Sequence, residues 1–121
     1  MVLIDILQEV RARIAQHGAA LQRNEMLTRY TLIDPVLRAL GWDTEDPEIV
    51  IPEYNTGSGR PDYVLRWNNK EYIALEAKAW RGNLPGARST GFSYCWHNRI
   101  PFYLISDGDT WELYDMTVPV S

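Results

Sequence analysis

Apolar and polar positions near the N-terminus follow a helical period. Leucine, valine and isoleucine residues occur every three or four positions between Leu3 and Ile14, with charged and amide residues between them. This pattern predicts an amphipathic helix over residues 2–16. Gly18 follows and is expected to stop that helix.

The same period predicts a second helix, which begins near Asn24 and ends at Gly41. Asp34 and Pro35 interrupt its pattern. Because Asp favours the N-cap and Pro the first helical position, the helix either restarts there or kinks. Both alternatives remain open at the level of sequence.

The remainder of the chain consists of short β-rich runs separated by turn-forming clusters. Strands are expected at 48–51, 62–67, 71–79, 102–105 and 110–114, with a flexible connection at 55–59 and a helix at 88–97. These elements predict an α/β sandwich with a five-stranded mixed sheet flanked by helices. An antiparallel meander of three strands comes first, and the helical crossover makes the fourth strand parallel to the third.

The second and third strands are expected to form a hairpin with a three-residue loop at 68–70. In that register Trp67 faces Glu71 and, further along, Asp62 faces Glu76. Directly opposed residues share one face of the sheet and bring their Cβ atoms to about 4.5–5.5 Å. The hairpin therefore predicts a close pair of carboxylates.

Lys78 lies two residues after Glu76 and points to the same face. Opposed like charges destabilise a sheet, and a bound Mg²⁺, which prefers carboxylate oxygens, would compensate them. The alternative is a solvated strand edge with a weak salt bridge. Because Ala77 and Ala79 alternate with these charges, as in a covered strand, the sequence favours the metal site.

Composition adds few constraints beyond these. The chain has 121 residues, of which 45% are hydrophobic and 23% charged, as expected for one globular domain spanning 1–121. Its single cysteine, Cys95, excludes an internal disulfide and favours a cytoplasmic location. No apolar run approaches the length of a membrane span, so no membrane partner is expected. The net charge of −4 weighs against strong binding of nucleic acid by the chain alone.

The paired acids and the lysine resemble a known family motif. Pro61-Asp62 and Glu76-Ala77-Lys78 are similar to the signature of the PD-(D/E)xK nuclease superfamily, and most similar to the N-terminal nuclease domain of type I restriction-enzyme R subunits. Segments 24–29 and 33–42 are similar to that domain's entry helix, and segment 105–114 is similar to its final hairpin. The resemblance covers about residues 24–115, and an N-terminal helix at 1–20 precedes it.

The resemblance implies a restriction-endonuclease-like fold and Mg²⁺-dependent cleavage of DNA, with Mn²⁺ able to substitute. It implies that Asp62, Glu76 and the backbone carbonyl of Ala77 bind the metal, and that Lys78 acts on the attacking water or on the phosphate charge. Glu25 matches the family's outer ligand, which often acts through water. The alternative for Glu25 is an acid that opposes the helix dipole.

Further residues flank the proposed site and are candidate nucleic-acid contacts: Thr28, Arg60, Arg81, Arg88 and Tyr94. Solvated arginines without a ligand are the alternative for the three basic residues. The family usually carries a glutamine four residues before the tyrosine, and Thr90 stands at that position here. The substitution affects how substrate is held rather than the metal site.

DNA is the expected partner, and the acidic balance of the chain suggests a homodimer or a larger restriction-type complex that adds affinity. Two other functions remain open. The first is a catalytically weak nucleic-acid-binding or assembly module of a larger complex, and the second is a nuclease directed at RNA.

Overall fold

A five-stranded sheet forms the centre of the molecule, with helices on both faces. A computed structural model of the chain describes residues 2–54 and 59–118. The helices are α1 (Leu3–Arg23), α2 (Glu25–Thr28), α3 (Asp34–Ala39) and α4 (Leu84–Asn98), and a π-helical turn (Arg29–Ile33) joins α2 to α3. The strands are β1 (Val50–Pro52), β2 (Tyr63–Trp67), β3 (Lys70–Ala77), β4 (Phe102–Ser106) and β5 (Trp111–Asp115). The connection expected at 55–59 lies, apart from Gly59, outside the described residues.

The sheet has the strand order β1-β2-β3-β4-β5. Strands β1, β2 and β3 pair antiparallel, β3 and β4 pair parallel across the α4 crossover, and β4 and β5 pair antiparallel. The predicted α/β architecture with a five-stranded mixed sheet is therefore confirmed.

Each face of the sheet packs against a different set of helices. Between the sheet and α4 lies one cluster: Ala74, Leu84, Tyr94, Cys95, Ile100, Tyr103 and Ile105. On the other face, the π-helical turn and α3 contribute to a second cluster: Ile33, Leu37, Val50, Tyr63, Leu65, Ile73, Leu75 and Ala77. Because side chains alternate along a strand, Glu76 projects on the same side of β3 as Ala74, towards α4.

The β2–β3 turn is shorter than predicted. It contains two residues, Asn68–Asn69, which both have positive φ, at 52° and 61°. That conformation is typical of a type I′ hairpin turn, for which asparagine is well suited. Trp67 consequently pairs with Lys70, and the predicted pairing of Trp67 with Glu71 is wrong.

A bulge corrects the register further along the hairpin. The pairing shifts by one residue after Leu65, and Tyr63 pairs with Leu75. This is the register expected from the sequence, so the next position outward brings Asp62 towards Glu76. The shortened turn and the bulge cancel each other.

Helix α1 does not stop at Gly18 but continues to Arg23, over 21 residues in all. Its only deviation is a kink at His17, where φ is −126° and ψ is 17°. A Cβ at Gly18 would lie 2.7 Å from Cζ3 of Trp80, so glycine is required by the approach of the indole ring.

Within residues 2–54 and 59–118, no helix combines the length and apolar character needed to cross a membrane.

The predicted interruption at Asp34-Pro35 is a π-helical turn. The N–H of Asp34 bonds to the carbonyl of Arg29, five residues earlier, and Pro35, which lacks an N–H, follows in the first turn of α3. The helical segment continues in a new phase rather than breaking. The predicted end is confirmed, because Gly41 follows α3 with a φ of 102°.

Helix α4 begins four residues earlier than the predicted start at Arg88. The Asn83 side chain accepts a hydrogen bond from the N–H of Gly86 at 3.0 Å and caps the helix. Leu84 opens the helix and Pro85 lies in its first turn, where a missing N–H costs nothing. Pro85 and Gly86 thus belong to the first turn of the helix.

We expect Gly91→Ala to destabilise the protein. A Cβ at this buried position would lie 2.1 Å from Cζ of the buried Tyr103. Separating α4 from the sheet should cost about 1–3 kcal/mol, which outweighs the better helix propensity of alanine. Urea unfolding measures the loss. Ser89→Ala, at an exposed position on the same helix, is the control and should unfold like the wild type; equal stability of Gly91→Ala would contradict the packing.

Candidate functional site

The carboxyl groups of Asp62 and Glu76 meet just before β2 and near the end of β3. Asp62 is only 15% exposed, and its Oδ2 accepts a hydrogen bond of 2.7 Å from the N–H of Ala77. Burial, the charge of Asp62 and a hydrogen bond between the two carboxyl groups raise the pKa of Glu76 to about 8. The structure therefore brings together the two acids that the sequence predicted to face each other.

Lys78 follows β3 immediately after Ala77, and its N–H donates to the carbonyl of Ser106 at 2.9 Å. The half-buried Lys78 acts electrostatically on Glu76 and Glu25, in each case lowering the pKa against the larger effect of burial. Among the residues that the structure describes, Lys78 takes part in no ion pair within 4.0 Å. A cationic group thus lies beside the carboxyl pair without being fixed to either member.

Glu25 opens α2, where the side chain of Asn24 caps the helix by accepting from the N–H of Leu27 at 3.0 Å. Burial and then the charge of Asp62 raise the pKa of Glu25, which places this acid within electrostatic range of the carboxyl pair. In the described parts of the chain, however, no three His, Cys, Asp or Glu side chains are grouped closely enough to hold a metal between them. Glu25 is a neighbour of the pair rather than a third member.

A buried arginine fixes the position of Asp62. Arg29 is 3% exposed, and its Nη2 donates to the Asp62 carbonyl at 3.3 Å while Nη1 lies 3.9 Å from Asp62 Oδ1. Nη1 also donates to Oε1 of Glu53 at 3.0 Å, and Nε donates to the Tyr63 hydroxyl at 3.1 Å. That hydroxyl donates in turn to Oδ1 of Asp34 at 2.5 Å. Arg29 therefore ties the π-helical turn to the start of β2.

Thr28 does not face the site as a nucleic-acid contact, and that prediction is wrong. The residue is completely buried. Its hydroxyl donates to the carbonyl of Leu21 at 2.9 Å and accepts from the N–H of Trp80 at 3.3 Å. Thr28 instead anchors the chain that follows Lys78 to the junction of α1 and α2.

A groove of about 350 Å³ opens onto Glu76. The chain before β2 and the exposed face of α4 form its walls, which are lined by Gly59, Arg60, Pro61, Ser89, Thr90, Ser93 and Tyr94. The predicted contacts Arg60 and Tyr94 are thus brought to the acids, together with Thr90. Ser89 and Ser93 were not predicted, although their spacing of four residues on a helix is the signal of a shared polar face.

Arg60 and Arg81 are both exposed, but neighbouring groups hold their guanidinium groups. Nε of Arg60 lies 3.3 Å from Oε2 of Glu53, with 62% of the arginine side chain exposed. The guanidinium of Arg81 lies 4.4 Å from the ring centroid of Trp80, in the loop that follows Lys78. Each remains accessible to a ligand that competes with a weak surface contact.

Arg88 is not brought to the carboxyl pair. Its Nε and Nη2 donate to the two carboxylate oxygens of Glu112 at 2.9 and 2.7 Å, a bidentate pair. Glu112 belongs to β5, two strands away from β3. The structure thus pairs the candidate contact Arg88 with Glu112 and does not place it at the carboxyl pair.

The raised pKa of Glu76 makes stability depend on pH. A carboxyl group whose pKa is higher in the folded state stabilises the fold below its unfolded pKa, near 4.5, and this contribution is lost as the pH rises to about 8. Without metal, we expect Glu76→Gln to gain about 2 kcal/mol over wild type between pH 5 and 8.5, an amount reduced for solvent screening. Urea unfolding in EDTA measures the difference. Glu45→Gln, in an exposed loop, should follow the wild type; parallel profiles for all three proteins would exclude the strained carboxyl pair.

Comparison with known proteins adds no relative to this picture: no family model, curated protein or solved structure matches the chain. Its functional interpretation depends on the geometry described above. The features that decide the functional interpretation are a close carboxyl pair, a neighbouring ammonium group, and a groove between the chain before β2 and α4 that opens onto Glu76.

Proposed function

We propose that the chain is a Mg²⁺-dependent endonuclease of the restriction-endonuclease-like fold that hydrolyses phosphodiester bonds of DNA. The observation that carries the proposal is the contact between Asp62 and Glu76 beside Lys78, at a groove open to solvent. The order of helices and strands and the resemblance of these residues to the PD-(D/E)xK motif support it. Its relation to restriction or defence is part of the same proposal.

The donor set suits a hard divalent cation. Mg²⁺ in proteins is typically held by one or two carboxylates together with water and substrate phosphate. Asp62 and Glu76 would supply the carboxylates, the carbonyl of Ala77 a third oxygen, and Glu25 an outer contact through water. Mn²⁺ accepts the same oxygen ligands. When bound, the cation neutralises phosphate charge and makes a bound water more acidic.

The remaining residues have roles in positioning and proton transfer. Lys78 would hydrogen-bond the attacking water through Nζ and either move its proton or hold the charge that develops on the phosphate. The hydroxyl groups along the α4 wall and Arg60 would contact phosphates of the bound strand. Arg29 keeps Asp62 in place, so that little reorganisation is needed when a cation and substrate bind.

A second candidate function is a catalytically weak nucleic-acid-binding or assembly module within a larger complex. The net charge of −4 favours it, as does the pairing of Arg60 with Glu53 and of Arg88 with Glu112. Those pairs reduce the positive charge available for phosphate. An endonuclease with so little positive charge available for phosphate would act as a homodimer or within a restriction-type complex. Such an assembly also supplies the second catalytic centre needed to cut both strands.

The proposal predicts cleavage that requires both metal and Asp62. Purified protein should nick supercoiled plasmid with Mg²⁺ or Mn²⁺ and not with EDTA, and Asp62→Asn should lower the rate by about 10²-fold or more. Asparagine can still accept the hydrogen bond from Ala77, so its circular dichroism should match the wild type. The control is Asp109→Asn, at an exposed turn. Cleavage of RNA alone would reassign the substrate, and binding without cleavage in any metal would favour the module.

Substitution of Lys78 separates its two possible roles. Lys78→Ala should lower single-turnover cleavage by about 10²-fold or more while metal binding and melting temperature change little. If Lys78 moves the proton of the attacking water, Lys78→Arg should remain inactive, because a guanidinium does not deprotonate in this pH range. Full activity of the arginine variant would instead assign Lys78 to charge stabilisation. Arg23→Ala, which removes one exposed cation at the end of α1, controls for net charge.

A further inference from the structure

Two exposed tryptophans lie at the end of the sheet opposite the carboxyl pair. Trp67 ends β2 with 59% of its surface exposed, and Trp96 projects from α4 with 75% exposed. The neighbouring strand β3 runs from Lys70, beside Trp67, to Glu76 near its other end. Six residues at about 3.3 Å each separate these positions by about 20 Å. The tryptophans therefore belong to a different surface from the candidate site.

The two tryptophans border adjoining grooves. A groove of about 490 Å³ lies beside Trp67 and also includes Lys70, and one of about 570 Å³ lies beside Trp96. Arg99 and Pro101 line both grooves. We call the combined area, formed by these five residues, the tryptophan surface.

Trp67 is held in a defined position although it is exposed. Its ring centroid lies 5.4 Å from that of Tyr72, whose ring is 5.1 Å from Phe102 in an edge-on arrangement. The adjacent turn is tight, and Nη2 of Arg66 donates to the carbonyl of Asn69 at 2.8 Å. One edge of the indole is thus packed while the rest faces solvent. A flat ligand that stacks on it would restrict little additional motion.

The tryptophan surface contains two cationic side chains, and one acid, Glu71, lines the groove beside them. Neither Lys70 nor Arg99 forms an ion pair within 4.0 Å with any residue that the structure describes. Glu71, the acid beside Lys70, is occupied by Arg66 at 3.5 Å. In a chain with a net charge of −4, two cations that pair with none of the described acids, beside exposed aromatic rings, fit an anionic ligand that also has flat faces.

Arg99 also has an unusual backbone conformation. It follows α4 with a φ of 54° and a ψ of 41°, the left-handed region in which glycine or asparagine normally ends a helix. A side chain at this position is unfavourable for folding. Because strained residues are common at binding sites, this conformation supports a binding role for the Arg99 guanidinium.

We propose that the tryptophan surface binds single-stranded nucleic acid, with bases stacked on Trp67 and Trp96 and phosphates against Lys70 and Arg99. Stacking on aromatic side chains beside a cationic groove is the usual mode by which proteins hold single strands. An acidic protein segment would satisfy the two cations but would leave both indole faces unused. Binding here requires neither the carboxyl pair nor a metal, so it goes beyond the proposed cleavage reaction.

The separation of the two surfaces sets the length of strand that would reach both. For a strand stacked as in a duplex, at about 3.4 Å per nucleotide, 20 Å corresponds to about six nucleotides, and an extended strand needs fewer. A dodecamer is therefore long enough to occupy the tryptophan surface and to extend to the groove at Glu76.

Fluorescence anisotropy of labelled dodecamers of deoxythymidine and of uridine tests the proposal, at low salt and in EDTA so that no metal contributes. We expect both to bind. Trp67→Ala should weaken binding about tenfold, the lower part of the range measured for loss of one stacked base. Arg99→Gly should weaken it several-fold and make the slope of log affinity against log salt less negative by about 0.7.

Arg99→Gly suits the left-handed backbone, so its fold should be retained or stabilised. Two control variants make matching changes at sites away from the tryptophan surface. Arg23→Ala removes the same charge, and Leu113→Ala removes an apolar side chain that is 61% exposed on β5. Both controls should bind the dodecamers like the wild type. The tighter of the two dodecamers identifies DNA or RNA as the preferred source of the strand.

Three results would overturn the inference. They are no binding of either dodecamer, binding by Trp67→Ala and Arg99→Gly that equals the controls, or binding of an oligoglutamate peptide as tight as that of the dodecamers. The outcome is separable from the proposed nuclease function. Asp62→Asn should keep the binding measured in EDTA while losing cleavage, whereas wild-type cleavage without single-strand binding would remove only the tryptophan surface.

Discussion

The proposed site depends on a guanidinium buried where it must find acceptors. A charged group inside a protein is tolerated only when it is paired and hydrogen-bonded. Arg29 meets this requirement with the carboxylate of Glu53, the hydroxyl of Tyr63, and the backbone carbonyl and carboxylate of Asp62. These acceptors come from the ends of two strands, so satisfying the arginine also fixes where those strands end. Asp62 is thereby held against Glu76 even though two carboxyl groups in contact are unfavourable.

The face of the sheet that each of the two acids occupies could be predicted from the sequence because one strong rule governs it. Alternation of buried and exposed positions decides which face of a strand a residue occupies, and a slip of one residue would expose the core. The pairing of Asp62 with Glu76 was counted back from a three-residue turn, and it holds because the shorter turn and the bulge after Leu65 cancel each other. The turn itself was mispredicted, since neither the two asparagines with positive φ nor the bulge after Leu65 alters the hydrophobic pattern. The face was determined by burial, and the turn by local backbone preferences that the pattern does not report.

Features that depend on distant partners could not be predicted in the same way. Gly18 signals a helix end by its own propensity, but the ring of Trp80 requires a glycine within the helix. Thr28 and Arg88 are polar residues near the motif, and only the fold shows that one is buried and the other is committed to Glu112. Local periodicity therefore sufficed for the strand order and for the face that each acid occupies. The surroundings of that pair depend on side chains more than 20 positions apart along the chain.

The π-helical turn has a consequence for the direction in which the chain presents its side chains. It closes with a bond that spans five residues, so it contains one residue more than an α-helical turn. One additional residue rotates the preceding helix by about 100° relative to the helix that follows. Leu37 is thus directed into the core against the sheet, while Glu25, on the same continuous segment, lies within electrostatic range of Asp62. The direction in which Glu25 projects therefore depends on the number of residues in this turn, and removal of a single residue there would rotate Glu25 by about 100° around the helix axis.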